Sequence, residues 1–347
     1  MKRIVICHKS QLGSTLSAAD YLFKIKRALN TSSKEYACCS VTKELKAKLA
    51  QCYEISDLGE IQSYLGIQIS RDQQNKHLTI DQSGYIKDVL ECFGMADVNP
   101  HHTPLPAGAD THLVKYNLQV STSDIKHYQS LIGSLLYVQI GTCLDISFAV
   151  SHLAQYAANP SPDHLCLTQY VLSYLVGTQD ACLCYDGANE EGLFGYTDSS
   201  LADQTDNCHS TSSYVFLLAN GAISWSSRKQ KTVAQNTTHA EYMAMTDTSN
   251  QGVWYRSFFT ELGYTINEPI LLHGDNKGAI DLAENPVTGC RSKHIDIKHH
   301  AICEYIKEGK ISMIHMPTAE MVADGFTKSL SRALLQCFNS DMGLDGA

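Results

Sequence analysis

Asn220-Gly221 stands between two apolar runs, Tyr214 to Leu218 and Ala222 to Trp225. An Asn-Gly pair favours the positive φ angles of a two-residue turn, so the runs read as the two strands of a hairpin. An earlier run, Leu193 to Thr197, reads as a strand ahead of them. After these three strands the pattern changes. Thr238 to Leu262 reads as a long helix, Ile270 to His273 as a buried strand, and Lys277 to Ala283 and Ser292 to Glu308 as helices. Ile311 to His315 is a last strand ended by Pro317, and the chain reads as helical from Val322 onward. Three successive strands, then two more alternating with helices, predict an α/β domain with a mixed five-stranded sheet and flanking helices.

Upstream of Gly187 the pattern differs. Residues 1 to about 55 carry no clear periodicity. Tyr64 to Ile69 alternates as a half-buried strand, Arg71 to Lys76 turns the chain, and Leu78 to Ile80 returns as a second strand. A helix over Tyr85 to Leu90 leads into an extended linker, Asn99 to Pro106. From Ile125 to Leu175 the chain is helical and strongly apolar, broken at Pro160 and Pro162 and stopped by Gly177. A length of 347 residues, 44% of them hydrophobic, suits two domains with a helical connector. The net charge of -9 argues against a basic nucleic-acid coat, yet an acidic nuclease site fits it. The 13 cysteines include no CxxC pair, which points to reduced thiols and away from a zinc ribbon. The start, MKRIVICHKS, lacks the apolar core of a signal peptide, and no run approaches the roughly 20 residues of a membrane span. The expectation is a soluble, intracellular protein.

Four acids fall at informative places. Asp198 ends the first strand of the downstream domain, Glu241 lies one turn into the long helix, Asp275 follows the buried strand, and Asp324 opens the final helix. Four ionised carboxylates converge only with cations, so such a cluster either takes up protons or binds hard divalent metals. Two ions roughly 4 Å apart activate water and stabilise a leaving phosphodiester oxygen. Taken singly, each acid has a plainer reading: turn or cap residues at Asp198 and Asp275, a surface position at Glu241, an N-cap at Asp324. Arg228 and Lys229, after the hairpin, are candidate phosphate contacts or simply a solvated strand end.

Taken together, the residues resemble the RNase H domain of copia-type LTR retrotransposons. The matching words are Gly195-Tyr196-Thr197-Asp198, Ser224-Trp225-Ser226-Ser227-Arg228-Lys229-Gln230, Ala240-Glu241-Tyr242, Asp275-Asn276-Lys277-Gly278, Lys293-His294-Ile295-Asp296 and Ala323-Asp324-Gly325-Phe326-Thr327-Lys328. Upstream, Asp57-Leu58-Gly59-Glu60, Tyr64-Leu65-Gly66-Ile67 and Leu131-Ile132-Gly133-Ser134 resemble the end of the same family's reverse transcriptase and its connector. The resemblance implies a truncated reverse-transcriptase segment over 1–108 (1–50 matching poorly), a helical connector over 109–186 and an RNase H-like domain over 187–347. It further implies cleavage of the RNA strand of RNA–DNA hybrids. Two Mg²⁺ ions, replaceable by Mn²⁺, would be held by Asp198, Glu241, Asp275 and Asp324, with Arg228, Lys229, Asn276 and His294 as expected substrate contacts. Other retroelement Pol segments are implied partners, and a cytoplasmic virus-like particle or the nucleus the implied location. Two departures stand out. Asp198-Ser199-Ser200-Leu201 lacks the family's aromatic residue, and Gln235-Asn236-Thr237 replaces an acid-rich stretch. The chain contains no Asp-Asp dipeptide, so DNA synthesis is not expected of it. The alternative to a working nuclease is an inactive nucleic-acid- or protein-binding remnant of a decayed element.

Overall fold

The computed structural model describes residues 51, 60–109, 113–189, 191–201, 208–285 and 301–347. Two five-stranded sheets organise it. The first is antiparallel and begins with β1 (Ser63–Tyr64), β2 (Ile67–Asp72) and β3 (His77–Asp81). The stretch Tyr64 to Ile69, read from sequence as one strand, is two strands around a tight turn. Leu65 and Gly66 both take positive φ there, 51° and 76°, which closes the reversal. Helix α1 (Ser83–Cys92) follows and buries Ile86, Val89 and Leu90 against the helical block.

That block comprises α2 (Thr122–Gly141), α3 (Ser147–Ala154) and α4 (Pro162–Thr178). Ser121 caps α2 by accepting from the Asp124 N–H. A reciprocal Ser161/His164 box and Pro162 in the first turn start α4, which is why the proline run breaks the chain there. The expected helical connector ends in a strand, β4 (Cys182–Asp186), which pairs with β3. The last strand of the chain, β10 (Leu344–Asp345), pairs with β4 from the other side.

The second sheet has the order β7-β6-β5-β8-β9. Here β5 is Phe194–Ser200, β6 Thr211–Leu218, β7 Gly221–Lys229, β8 Ile270–Gly274 and β9 Ile311–His315. The β5–β6 and β6–β7 pairs are antiparallel; β5–β8 and β8–β9 are parallel. This is the mixed five-stranded sheet expected from the strand order. Its hairpin turns one residue earlier than Asn220-Gly221 predicts. Leu218 pairs with Gly221, so Ala219 and Asn220 are the turn residues, with φ of 56° and 62°. Gly221 serves packing instead: a Cβ there would lie 2.5 Å from the Cys184 carbonyl oxygen and the Tyr185 ring.

Helix α5 (Thr237–Glu261) crosses the sheet, capped by Asn236 accepting from the His239 N–H at 2.8 Å. Short α6 (Lys277–Glu284) and α7 (Ala301–Lys307) link the parallel strands; the first part of the helix expected over Ser292 to Glu308 lies outside the described residues. The core under α5 includes Phe216, Met245, Tyr255, Phe259, Leu272 and Ile311, all buried. The chain closes with a 3₁₀ turn, Val322–Phe326, and α8 (Arg332–Asp341). Asp324 therefore sits in a 3₁₀ turn and does not open the final helix. Ser213 donates to the Ala323 carbonyl and Ser227 to the Phe326 carbonyl, at 3.1 and 2.6 Å, acceptors that a continuing α-helix would use for its own N–H groups. Among the described residues no helix is long and apolar enough to cross a membrane.

Candidate active site

Three of the four acids meet at one edge of the second sheet. Asp198 is carried near the end of β5, opposite Ser213 of β6. Asp275 follows β8, which pairs parallel to β5, so both strands deliver an acid to the same edge. Glu241 comes from the second turn of α5. The helix passes closely over the strands because the backbone beneath it is small: a Cβ on Gly274 would lie 2.9 Å from Met245 Cε. Thr248 of α5 also donates to the Thr197 hydroxyl at 2.9 Å. One carboxylate oxygen from each of Asp198, Glu241 and Asp275 lies within 4.8 Å of the others.

The plain reading of Glu241 as a surface helix residue fails, since it is only 2% exposed. The Ser199 N–H donates to Glu241 Oε1 at 3.2 Å, while Oε2 is buried and accepts no hydrogen bond among the described residues. Burial, and after it the charges of Asp198 and Asp275, push the Glu241 carboxyl up to about 9. Burial likewise pushes Asp198 up to about 7; Asp324 and Asp275 add to the rise, while the Thr327 hydrogen bond and the charge of Lys328 oppose it. Without a cation the cluster therefore holds protons near neutral pH. A buried carboxylate oxygen with no donor, beside two further acids, fits a hard divalent cation.

The supporting residues were mostly missed from sequence. Thr327 donates to Asp198 Oδ2 at 2.6 Å and Thr318 to Asp275 Oδ2 at 2.8 Å. His315 Nε2 lies 3.1 Å from the Asp275 carbonyl oxygen. Thr327 and Lys328 belong to the motif around Asp324, which was the available signal; nothing in the sequence marks Thr318. Asp324 is not part of the three-acid cluster. Its Oδ2 pairs with Lys328 Nζ at 2.5 Å, four residues on, although its charge is felt at Asp198.

The expected substrate contacts are dispersed. Arg228 pairs across the ladder with Ser212, two strands from β5, and lines a cleft of about 250 Å³ with Asp247 and Trp254. Lys229 ends the same strand, opposite Thr211. Asn276 adjoins Asp275, and its side chain caps α6 by accepting from the Ala279 N–H at 3.0 Å. His294 lies outside the described residues.

Residues 32–107 match the family described as reverse transcriptase (RNA-dependent DNA polymerase). The chain is 36% identical over 297 residues to the retrovirus-related Pol polyprotein from transposon TNT 1-94 of Nicotiana tabacum, covering 83% of this chain and 22% of that protein. With the corresponding polyprotein from transposon RE2 of Arabidopsis thaliana it shares 35% identity over 298 residues, covering 85% of this chain and 20% of the other. Over most of its length the chain is similar to the Pol polyproteins of copia-type transposons. It spans about a fifth of the length of these curated relatives. Among solved structures, LC11-RNase H1 in complex with RNA/DNA hybrid is similar over 39% of this chain and 93% of that chain, at 14% identity and a TM-score of 0.30. The reverse-transcriptase match ends at residue 107, and the acidic cluster lies wholly downstream, on the second sheet.

Proposed function

We propose that this Pol segment is a metal-dependent endonuclease of the RNase H type, cutting the RNA strand of RNA–DNA hybrids. The observation that carries the reading is the cluster of buried Asp198 and Glu241 with half-buried Asp275, together with the Glu241 oxygen that accepts no hydrogen bond among the described residues. These three side chains would hold Mg²⁺, two ions in the full site, with Mn²⁺ able to substitute. Bound divalent ions supply water activation and neutralise charge developing on the phosphodiester. The chain's own residues set the geometry. Two parallel strands and one helix place the acids, and hydroxyls of Thr327 and Thr318 hold two of them. Asp324, already paired with Lys328, acts at the margin of the site. Choice of the RNA strand is ascribed to 2′-hydroxyl contacts along a wide minor groove. Other Pol segments of the parent polyprotein are the proposed protein partners.

The test is cleavage of a labelled RNA–DNA hybrid by the purified chain with Mg²⁺ or Mn²⁺. Wild type should cut the RNA strand and Asp198→Asn should fall by about a hundredfold to a thousandfold, as for a lost electrostatic partner of the transition state. Asp324→Asn should fall less. Full activity in Asp198→Asn would sink the assignment, and a wild type inert with both metals would favour an inactive remnant.

A further inference from the structure

We propose that Thr327 is a positioning residue for Asp198, its hydroxyl fixing the carboxylate in the orientation that receives a divalent cation; this rests on the metal-dependent reading above. Both residues are buried, Thr327 at 3% and Asp198 at 4% exposure. Thr327 Oγ1 lies 2.6 Å from Asp198 Oδ2 and 3.2 Å from the Asp324 carbonyl oxygen. A hydroxyl has one proton to give, and the shorter contact, to the carboxyl oxygen, takes it. Asp198 is thereby tethered through one oxygen, which leaves Oδ1 for an ion.

The tether has value because its other end is held firmly. Ser213 and Ser227, on adjacent strands of the sheet, donate to the carbonyls of Ala323 and Phe326. The Phe326 ring packs edge-on against Phe338 of α8, with centroids 5.0 Å apart. Gly325 lies so close to Phe338 that a Cβ would meet its ring at 2.6 Å. The turn carrying Thr327 is thus clamped between the sheet and the last helix. The hydroxyl is delivered at a fixed place, and no flexible side chain has to search for Asp198. Hydrogen bonds that orient a metal-binding side chain commonly set metal affinity by roughly 10–100-fold, because the ion need not order its own ligand.

The experiment uses the full chain as wild type, Thr327→Val, Thr327→Ser and Asp198→Asn. Mg²⁺ and Mn²⁺ affinities are measured by calorimetry, with hybrid cleavage and thermal unfolding alongside. Valine keeps the shape and loses the hydroxyl; serine keeps the hydroxyl and loses a methyl. Thr327→Val should bind either metal about tenfold more weakly or worse, with kcat reduced and KM for the hybrid within roughly twofold of wild type. Thr327→Ser should restore affinity to within about threefold, well inside the effect of a lost charged hydrogen bond. Equal metal affinity in wild type and Thr327→Val would overturn the proposal. So would a Thr327→Ser protein that folds yet binds as weakly as Thr327→Val, which would leave only packing. If Thr327→Val does not fold, Thr327→Ala takes its place: it also lacks the hydroxyl, and metal affinity equal to that of Thr327→Ser would overturn the proposal. A wild type that binds metal through Asp198 but does not cut fails the nuclease reading alone, with the affinity comparison still testing Thr327. A wild type matched by Asp198→Asn in metal binding fails both.

Discussion

Asp145 shows how a single buried acid registers outside the candidate site. It lies in the 3₁₀ turn Leu144–Ile146 and is 5% exposed. Tyr174 donates to its Oδ2 at 2.5 Å and the Ile146 N–H to its Oδ1 at 3.1 Å. Burial pushes its carboxyl up to about 6 from 3.8, against the opposing pull of the Tyr174 hydrogen bond. The folded chain therefore binds this proton more tightly than the unfolded chain does. The stability this adds is complete below pH 3.8 and is lost as pH rises through about 6. At most about 3 kcal/mol is at stake, from roughly two pKa units. Asp145→Asn keeps an acceptor and offers an amide N–H that the Tyr174 oxygen can accept. Its stability relative to wild type should rise between pH 4 and pH 7, measured by denaturant unfolding at each pH. A difference that stays constant across that range would refute the assignment. No sequence pattern singled out Asp145, because a lone acid among apolar helices has no periodic signature. Glu241 was legible because its helix and neighbouring acids were, yet its burial was not, since burial depends on how closely α5 crosses β5 and β8.

At the scale of elements, the strands, the long helix and the sheet order were readable because each has a periodicity of its own. The turn that carries Asp324 was not. Its conformation is imposed by hydroxyls from β6 and β7 more than 90 residues away in sequence, which no local pattern reports. The same holds for the hairpin: Asn220 and Gly221 promised the reversal, but β4 claims Gly221 for close packing and shifts the turn to Ala219-Asn220. Gly325→Ala tests the Asp324 turn directly. The added methyl meets the Phe338 ring, and a buried aromatic in contact with Phe326 has little room to yield. Overpacking of this kind costs about 1–3 kcal/mol, so the midpoint of denaturant unfolding should drop accordingly, with cleavage falling as Thr327 and Asp324 are displaced. An unchanged midpoint would show that the turn is not clamped as described.

Across the whole molecule the two sheets share their fastenings. The Cys184 N–H donates to the Gly343 carbonyl and the Asp186 N–H to the Ala219 carbonyl, both at 2.8 Å, while the Ala222 N–H donates to Met342 at 2.9 Å. Tyr185 of β4 donates its hydroxyl proton to the Ala222 carbonyl at 2.8 Å, and Trp225 of β7 donates to the Gln139 carbonyl of α2 at 3.0 Å. The tip of the β6–β7 hairpin is thus held by β4 and by the segment leading into β10, and the edge strand β7 is tied to the helical block. Such a junction couples the unfolding of both sheets, because opening either one strands buried backbone groups of the other. Gly221→Ala places a methyl against the Cys184 carbonyl, a backbone group that cannot rotate aside. The damage should therefore reach both sheets. In hydrogen exchange followed peptide by peptide, segments from β3 and β4 should lose protection together with those from β6 and β7, by a similar factor. If the β6–β7 peptides alone become faster while β3 and β4 keep their wild-type protection, the sheets unfold independently and the coupling is wrong.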